Sequence, residues 1–326
     1  METIKNNIMN MLNDEIEIIK IDNLNNNTSN IYEIYNNRLK INYICKIFDI
    51  KRNDTKKVLG EKEFYFYDNL IDNFKNIINI PIFYGFIRNN NNEIYELLLQ
   101  KLNKINYFNI DTINIIINNI SKLHIFYWNN FNKINLLEQN KEVFTGIQVK
   151  ENIVMKVKNE AKYYFYNIPN IFEEKIYNIF NQLLSIKIEE LNENNKTIIH
   201  GSLKIENIIL VNENNKVIPY FIDWGLYKIG YGVEDILFLL IFSLNEELFK
   251  NNYHNILENY FNIINKSNQY NYDDFINHIK ISLLDFILCA IIGLFIKNHF
   301  SKIKNNKLNI YLNNYLYIIN KYNNMK

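Results

Sequence analysis

The run His200-Gly201-Ser202-Leu203-Lys204-Ile205-Glu206-Asn207 leads into an apolar segment at residues 208–211, a turn at 212–215, and a second apolar segment closing on Phe221-Ile222-Asp223-Trp224-Gly225. Four of the chain's eight glycines fall between residues 201 and 232. A glycine-poor chain places them together only where the backbone demands it. The pattern is a hairpin followed by an acid, with an amide side chain at the hairpin's entry. Asn207 and Asp223 are hard oxygen ligands of the kind a divalent cation takes. Phosphoryl transfer from a nucleotide needs such a cation to neutralise the triphosphate, a positioned acceptor hydroxyl, and a fixed geometry between them.

The spacing of this run is similar to kinase-type catalytic loops, where His-x-Asp-x-x-x-x-Asn sets a catalytic base against a metal-binding Asn and a following Asp-x-Gly acid completes the metal site. Asn207 and Asp223 fill the two metal positions in that resemblance, and Lys204 stands where a protein-kinase Lys contacts the γ-phosphate. Further on, Gly230-Tyr231-Gly232-Val233-Glu234-Asp235 precedes an apolar run. It resembles the segment of small-molecule phosphotransferases in which an Asp opens a buried helix and ties down the catalytic loop. A protein kinase would carry Ala-Pro-Glu after an activation loop, and the last proline here is Pro219. The chain therefore resembles the choline, aminoglycoside and ecdysteroid kinase-like families of phosphotransferases, with no one of them matched closely enough to name an acceptor.

The resemblance extends upstream. Leu123-His124 with Trp128 is similar to the end of the long helix preceding the catalytic region, where both side chains are expected to pack. Tyr43-Ile44-Cys45-Lys46-Ile47-Phe48 is an apolar strand with one Lys, the position from which the family Lys reaches the α- and β-phosphates. Glu63 looks like the helix acid that pairs with it. Gln100 and Leu102 correspond to the adenine hinge, with Gln100 replacing an acid often found there. Thr28-Ser29-Asn30 would be the phosphate-covering loop, though without the glycines that let backbone amides close on phosphate. The resemblance implies ATP and Mg2+ as cofactors and a small hydroxyl-bearing acceptor, its pocket drawn from the helices at residues 142–190 and 251–301.

Ser202 departs from the pattern. The family places Asp there to accept the acceptor's proton and aim its oxygen at phosphorus. A serine hydroxyl is no base near neutral pH. General-base catalysis is worth about 10² to 10⁴ in rate, or roughly 3–5 kcal/mol. The adjacent acid Glu206 is a poor substitute, because neighbouring residues on one loop point apart. His200 is expected to order the loop. Two readings follow: a slow or unusual phosphotransferase, or a catalytically inactive pseudokinase that binds a nucleotide or a partner.

Elements able to position these residues can be read from periodicity. Strand-like alternation appears at residues 15–21, 30–35, 40–48, 81–84 and 94–99, and a helix starts near Thr55 and runs through Leu70. From about residue 109 helical spacing dominates, interrupted by a strand-rich island at 197–223. Sheet first and helices later predicts an α+β, bilobal protein-kinase-like fold. Residues 1–102 would form a small antiparallel-sheet N-lobe and residues 103–326 a large, mainly helical C-lobe.

Bulk properties agree with a globular chain: 326 residues, 48% hydrophobic and 22% charged. A formal net charge of +1 points to neither nucleic acid nor an anionic membrane as partner. Cys45 and Cys289 lie in apolar runs without a metal or redox spacing partner and are expected to be buried thiols. His254, His278 and His299 show no metal-site spacing. Residues 1–15 lack the apolar core of a secretory signal, so a cytoplasmic location is expected. Residues 281–296 are shorter than the about 20 residues of a bilayer span and contain Asp285, which predicts a core helix. Composition leaves the oligomeric state open.

Overall fold

A computed structural model describes residues 6, 8, 9, 12, 16–20, 29–49, 54–88, 94–130, 177–180, 183, 194–300 and 307–323. The chain divides into two compact units. The first comprises Met1–Ile115 with Asn207–Leu226, and the second Ile116–Glu206 with Tyr227–Lys326. Packing thus groups the hairpin at 207–226 with the N-terminal sheet, a partition that differs from a single cut after residue 102.

The first unit is built on a five-stranded antiparallel sheet. Its strands are β1 (Ile16–Lys20), β2 (Asn30–Asn36), β3 (Ile41–Asp49), β4 (Phe83–Arg88) and β5 (Ile94–Gln100), in the order β1-β2-β3-β5-β4. Alternation along β3 decides what each face carries. Tyr43, Cys45 and Ile47 join Ile8, Ile34 and Leu98 in one apolar cluster. Ile44, Lys46 and Phe48 point the other way. Helix α1 (Asp54–Tyr65) covers that second face, its Gly60 seated against the Phe48 ring. The helix continues through a wider π-type turn at Phe66–Leu70 and a last turn at Ile71–Phe74.

The expected strand at 81–84 begins later, at Phe83. Pro81 offers no amide to a ladder, and the amide of Ile82 instead meets the Gln100 side chain. The hairpin of β7 (Ile208–Glu213) and β8 (Lys216–Phe221) also runs longer than the sequence suggested, with a turn of only two residues. Asn214 and Asn215 both adopt positive φ, 51° and 62°, which suits the turn that matches strand twist. The hairpin is anchored by Asn79, whose carbonyl accepts the Phe221 amide at 3.0 Å.

In the second unit, β6 (Thr197–Ile199) pairs antiparallel with β9 (Lys228–Gly230), Ile199 facing Lys228. Helix α2 (Ile110–Phe126) contributes Ile116, Ile120, Leu123 and His124 to the interior. Helix α3 (Val233–Ser243) is buried from Val233 to Phe242. A helix apolar on all sides must be enclosed, and α3 packs against α4 (Glu246–Asn268), α5 (Tyr272–Ser282) and α7 (Leu308–Asn323). Between α5 and α6 (Leu288–Phe300) a π-type turn at Leu283–Ile287 keeps the chain helical. Leu283, Ile287, Leu288, Ile291 and Ile292 are all buried there, as expected of a core helix. Cys45 and Cys289 are buried thiols, neither of them in a disulfide among the described residues. No helix among the described residues is long and apolar enough to cross a membrane.

Candidate active site

The first unit gathers three charged side chains. Lys46 Nζ lies 2.6 Å from Glu63 Oε2 and 2.5 Å from Asp223 Oδ1. Lys46 is only 5% exposed and Glu63 2%, while the Asp223 side chain keeps 30% of its surface in solvent. One buried ammonium therefore serves two carboxylates. Burial by itself would strip its proton, but Asp223 and then Glu63 outweigh it and hold Lys46 above the ordinary lysine range. Burial pushes the Glu63 carboxyl up to about 7; Lys46 pulls it back, and the Asp223 charge adds to the rise. The second oxygen of Glu63, Oε1, is buried with no hydrogen-bond partner.

Each of the three is positioned by local packing. Lys46 sits on β3 with its neighbours Cys45 and Ile47 committed to the opposite face. Glu63 is on the inner side of α1, beside buried Lys62 and Phe64. Asp223 adopts φ 67°, a left-handed conformation that costs an ordinary residue about 1–2 kcal/mol. The residues after it hold it there. Trp224 stacks on Phe66 at 4.4 Å and 5°, and its indole N–H donates to the Phe221 carbonyl at 3.1 Å. Gly225 comes so close to α1 that a Cβ would stand 3.0 Å from the Leu59 carbonyl oxygen.

Asn207, 5% exposed, ends a short 3-10 turn at Ile205–Asn207. Its carbonyl accepts the Ile222 amide at 3.0 Å, which ties the start of the hairpin to the residue before Asp223. An amide oxygen and a carboxylate in this connected segment fit Mg2+, a hard cation that takes oxygen ligands. A cation there would compete with Lys46 for Asp223.

The hinge residues are placed differently from a simple strand end. Gln100 is bonded twice to Ile82, its amide donating to the Ile82 carbonyl at 2.8 Å and its side-chain oxygen accepting the Ile82 amide at 3.2 Å. Leu102 is half-buried in the extended segment that follows, where Ile105 donates to the Leu210 carbonyl. Of the covering loop, Thr28 lies outside the described residues. Ser29 is buried with its hydroxyl unpartnered, and Asn30 is exposed at the start of β2. Most of the expected acceptor region at 142–190 also lies outside the described residues.

The second unit holds the loop at residues 200–206. Asp235, fully buried, accepts the His200 amide at 2.7 Å and the Gly201 amide at 2.9 Å. His124 Nε2 is 3.3 Å from the same carboxylate and its Nδ1 is 3.0 Å from the Tyr260 hydroxyl. Burial would raise Asp235, but the His124 hydrogen bond, the His124 and His200 charges and the His200 amide overcome it and keep it below the usual carboxylate range. The Ile205 amide donates to Ser243 Oγ at 3.0 Å, fastening the far end of the loop to α3. Ser202 is 7% exposed and contacts His200, its amide 3.3 Å and its hydroxyl 3.5 Å from Nδ1. Lys204 is half-buried. Glu206 turns outward and meets exposed Lys307 at 3.4 Å, which removes it as a stand-in base.

One participant escaped sequence reasoning. Tyr67, fully buried, carries a hydroxyl without a hydrogen-bond partner and is held well above the usual range by burial and then by the Glu63 and Asp223 charges. Its place four residues after Glu63, on one helix face, was the available hint.

One family model matches part of the chain. The ecdysteroid kinase-like family matches residues 115–272. The match covers a little under half of the 326-residue chain. It includes His200, Ser202, Asn207, Asp223 and Asp235, whereas Lys46 and Glu63 precede it. Solved structures share the architecture over nearly the full chain. The GDP complex of an aminoglycoside 2'-phosphotransferase is similar with TM-score 0.61 at 14% identity, covering 98% of each chain. An ethanolamine kinase of Plasmodium vivax gives 0.57 at 11% identity, covering 96% of this chain and 84% of its own. A microcompartment-associated aminopropanol kinase gives 0.52 at 10% identity, covering 97% and 95%. No curated protein sequence matches. At such identities the likeness of this chain to these structures is one of fold, the protein-kinase-like fold.

Proposed function

We propose that this protein binds Mg2+ and a purine nucleotide, ATP in the first instance, and belongs by chemistry to the kinases that phosphorylate a hydroxyl of a small molecule. The observation that carries the reading is Lys46 shared between Glu63 and Asp223. Lys46 would take the α- and β-phosphates, Glu63 would hold the lysine in place, and Asn207 and Asp223 would hold the metal. Bound Mg2+ would supply charge neutralisation at the transferring phosphate. His200 orders the loop through its amide, Lys204 would approach the γ-phosphate, and Gln100 and Leu102 would line the nucleobase hinge with Ser29 and Asn30 near the phosphates. GDP in the aminoglycoside 2'-phosphotransferase structure supports a nucleotide ligand of this class.

Ser202 in the base position favours a second reading, a pseudokinase that binds nucleotide without transferring phosphate. Two measurements separate them. Mg2+-dependent ATP turnover that disappears in Asp223→Ala supports the enzyme. A melting temperature raised by MgATP without turnover supports the binding module; at ligand 100-fold above Kd the expected gain is about 2.7 kcal/mol. No response to nucleotide or metal by either measure would sink both.

A further inference from the structure

We infer that Glu33, oriented by Lys101, recognises the ribose hydroxyls of the bound nucleotide, an inference that rests on the nucleotide reading above. Both residues belong to the first unit, with Lys46 and the hinge at 100–102. Residues directly opposite one another in an antiparallel pair share a face of the sheet. Lys46 stands opposite Ile31 on β2 and Leu97 on β5, and two residues away Ile44 stands opposite Glu33 and Leu99. These side chains project on the Lys46 side, whereas Tyr32 and Ile34, the neighbours of Glu33, join the apolar cluster on the other face. Glu33 is thus an acid set into an aliphatic row beside Lys46.

An acid in such a row needs a partner, and Lys101 supplies it, its Nζ bonded to Glu33 Oε1. Lys101 follows β5 and Glu33 lies on β2, with β3 between them. The pair therefore crosses β3, a span of two strand spacings or about 9–10 Å, and draws the carboxylate over that strand. The Glu33 side chain keeps 17% of its surface in solvent. A carboxylate accepts on both oxygens, so Oε2 remains for a second donor. Ser29 marks the other end of the row. It precedes Asn30, the partner of Ile47, which continues the alternation onto the Lys46 side, and its buried hydroxyl has no hydrogen-bond partner.

Gln100 pairs with Tyr43, so the hinge lies beyond the Ile44 end of β3. On the way from Lys46 to the hinge, Glu33 comes about 7 Å along the strand. In a nucleotide with its phosphates on Lys46 and its base at the hinge, the sugar is the group in between. Its 2' and 3' hydroxyls can donate, and an ionised carboxylate can only accept. Hydrogen bonds to a charged acceptor are the stronger kind. The Lys101 ammonium offsets the repulsion between that carboxylate and the phosphates. Glu33 is thereby a specificity residue for a ribonucleotide, and Lys101 positions it.

The test is calorimetric titration with MgATP and with Mg-2',3'-dideoxy-ATP, which lacks both hydroxyls. Wild-type protein should bind the dideoxy nucleotide about 10- to 100-fold more weakly. Glu33→Ala removes the acceptor, and the two nucleotides should then bind alike. The ratio is the readout, because losing one negative charge near the phosphates changes both affinities together. Glu33→Gln keeps the shape without the charge and should give a ratio between those of wild type and Glu33→Ala. Lys101→Met releases the carboxylate from its orientation and should do the same. Equal binding of the two nucleotides by wild type overturns the assignment, as does a wild-type ratio in Glu33→Ala or, should that variant not fold, in Glu33→Gln. A wild-type ratio in Lys101→Met overturns the positioning role. Wild-type protein that binds neither nucleotide marks the different failure of the nucleotide reading, and the ribose assignment falls with it.

Discussion

Lys46 Nζ lies 2.5 Å from Asp223 Oδ1 although 177 residues separate them. With Glu63 at 2.6 Å on the other side, the lysine joins β3, α1 and the loop after β8 in one ionic group. Two acids around one buried cation leave a surplus negative charge, and a metal–nucleotide complex would redistribute it by drawing Asp223 away.

Lys46→Met should abolish the MgATP-induced rise in melting temperature. It should also destabilise the protein by about 3–5 kcal/mol at pH 8 in urea unfolding, since it strands a buried charge at Glu63. The loss should shrink at pH 5, where Glu63 takes up a proton. An equal loss at both pH values would contradict the shared-lysine arrangement.

The raised Glu63 carboxyl makes stability depend on pH. Its folded value of about 7 lies above the ordinary 4.5, so the folded state holds the extra proton. Its contribution is fully present below pH 4.5 and is lost as pH rises through 7, to a total of roughly 3 kcal/mol at about 1.4 kcal/mol per unit. Urea unfolding between pH 4.5 and 8 should show this slope in the wild type and a flatter profile in Glu63→Gln.

Gly225→Ala brings a methyl group to 3.0 Å from the Leu59 carbonyl oxygen. The loop holding Asp223 must then move off α1. We expect a loss of about 1–3 kcal/mol in stability and a weakened MgATP thermal shift. A variant with wild-type nucleotide response would show that Asp223 is not held by this close approach.

Asp235→Asn leaves one oxygen where two amides and His124 were served. Hydrogen exchange at the His200 and Gly201 amides should accelerate, with a stability loss of about 1–3 kcal/mol. Because Asp235 is held below 3.8, its contribution is present above that pH and disappears as pH falls through the lowered value. The wild type should therefore lose its advantage over the variant only in strong acid, as followed by thermal melts below pH 4.

Much of the architecture was legible in the chain. Alternation placed β2, β3 and β5 within a residue or two, because one-sided burial leaves a period-two trace. Boundaries failed where local chemistry intervened. Pro81 delayed β4, and Asn214 with Asn215 tightened a turn that four polar residues had suggested was wider. The single cut after residue 102 could not anticipate that the hairpin at 207–226 packs with the N-terminal sheet. Nothing in an Ile-rich strand pair announces which unit its apolar side will join.

By itself the sequence determined which residue types stand at which intervals: Lys46 in an apolar strand, Glu63 on a helix, Asn207 and Asp223 around a hairpin, and Ser202 where a carboxylate was expected. Such patterns are local, set by periodicity and turn chemistry. Only the tertiary structure decided that one lysine serves two acids, that Tyr67 lies beside them, that Glu206 faces away, and that Ser202 turns its hydroxyl toward His200. Those relations depend on burial and on contacts between distant segments, which fix the charge of each group through desolvation and neighbours that no spacing records.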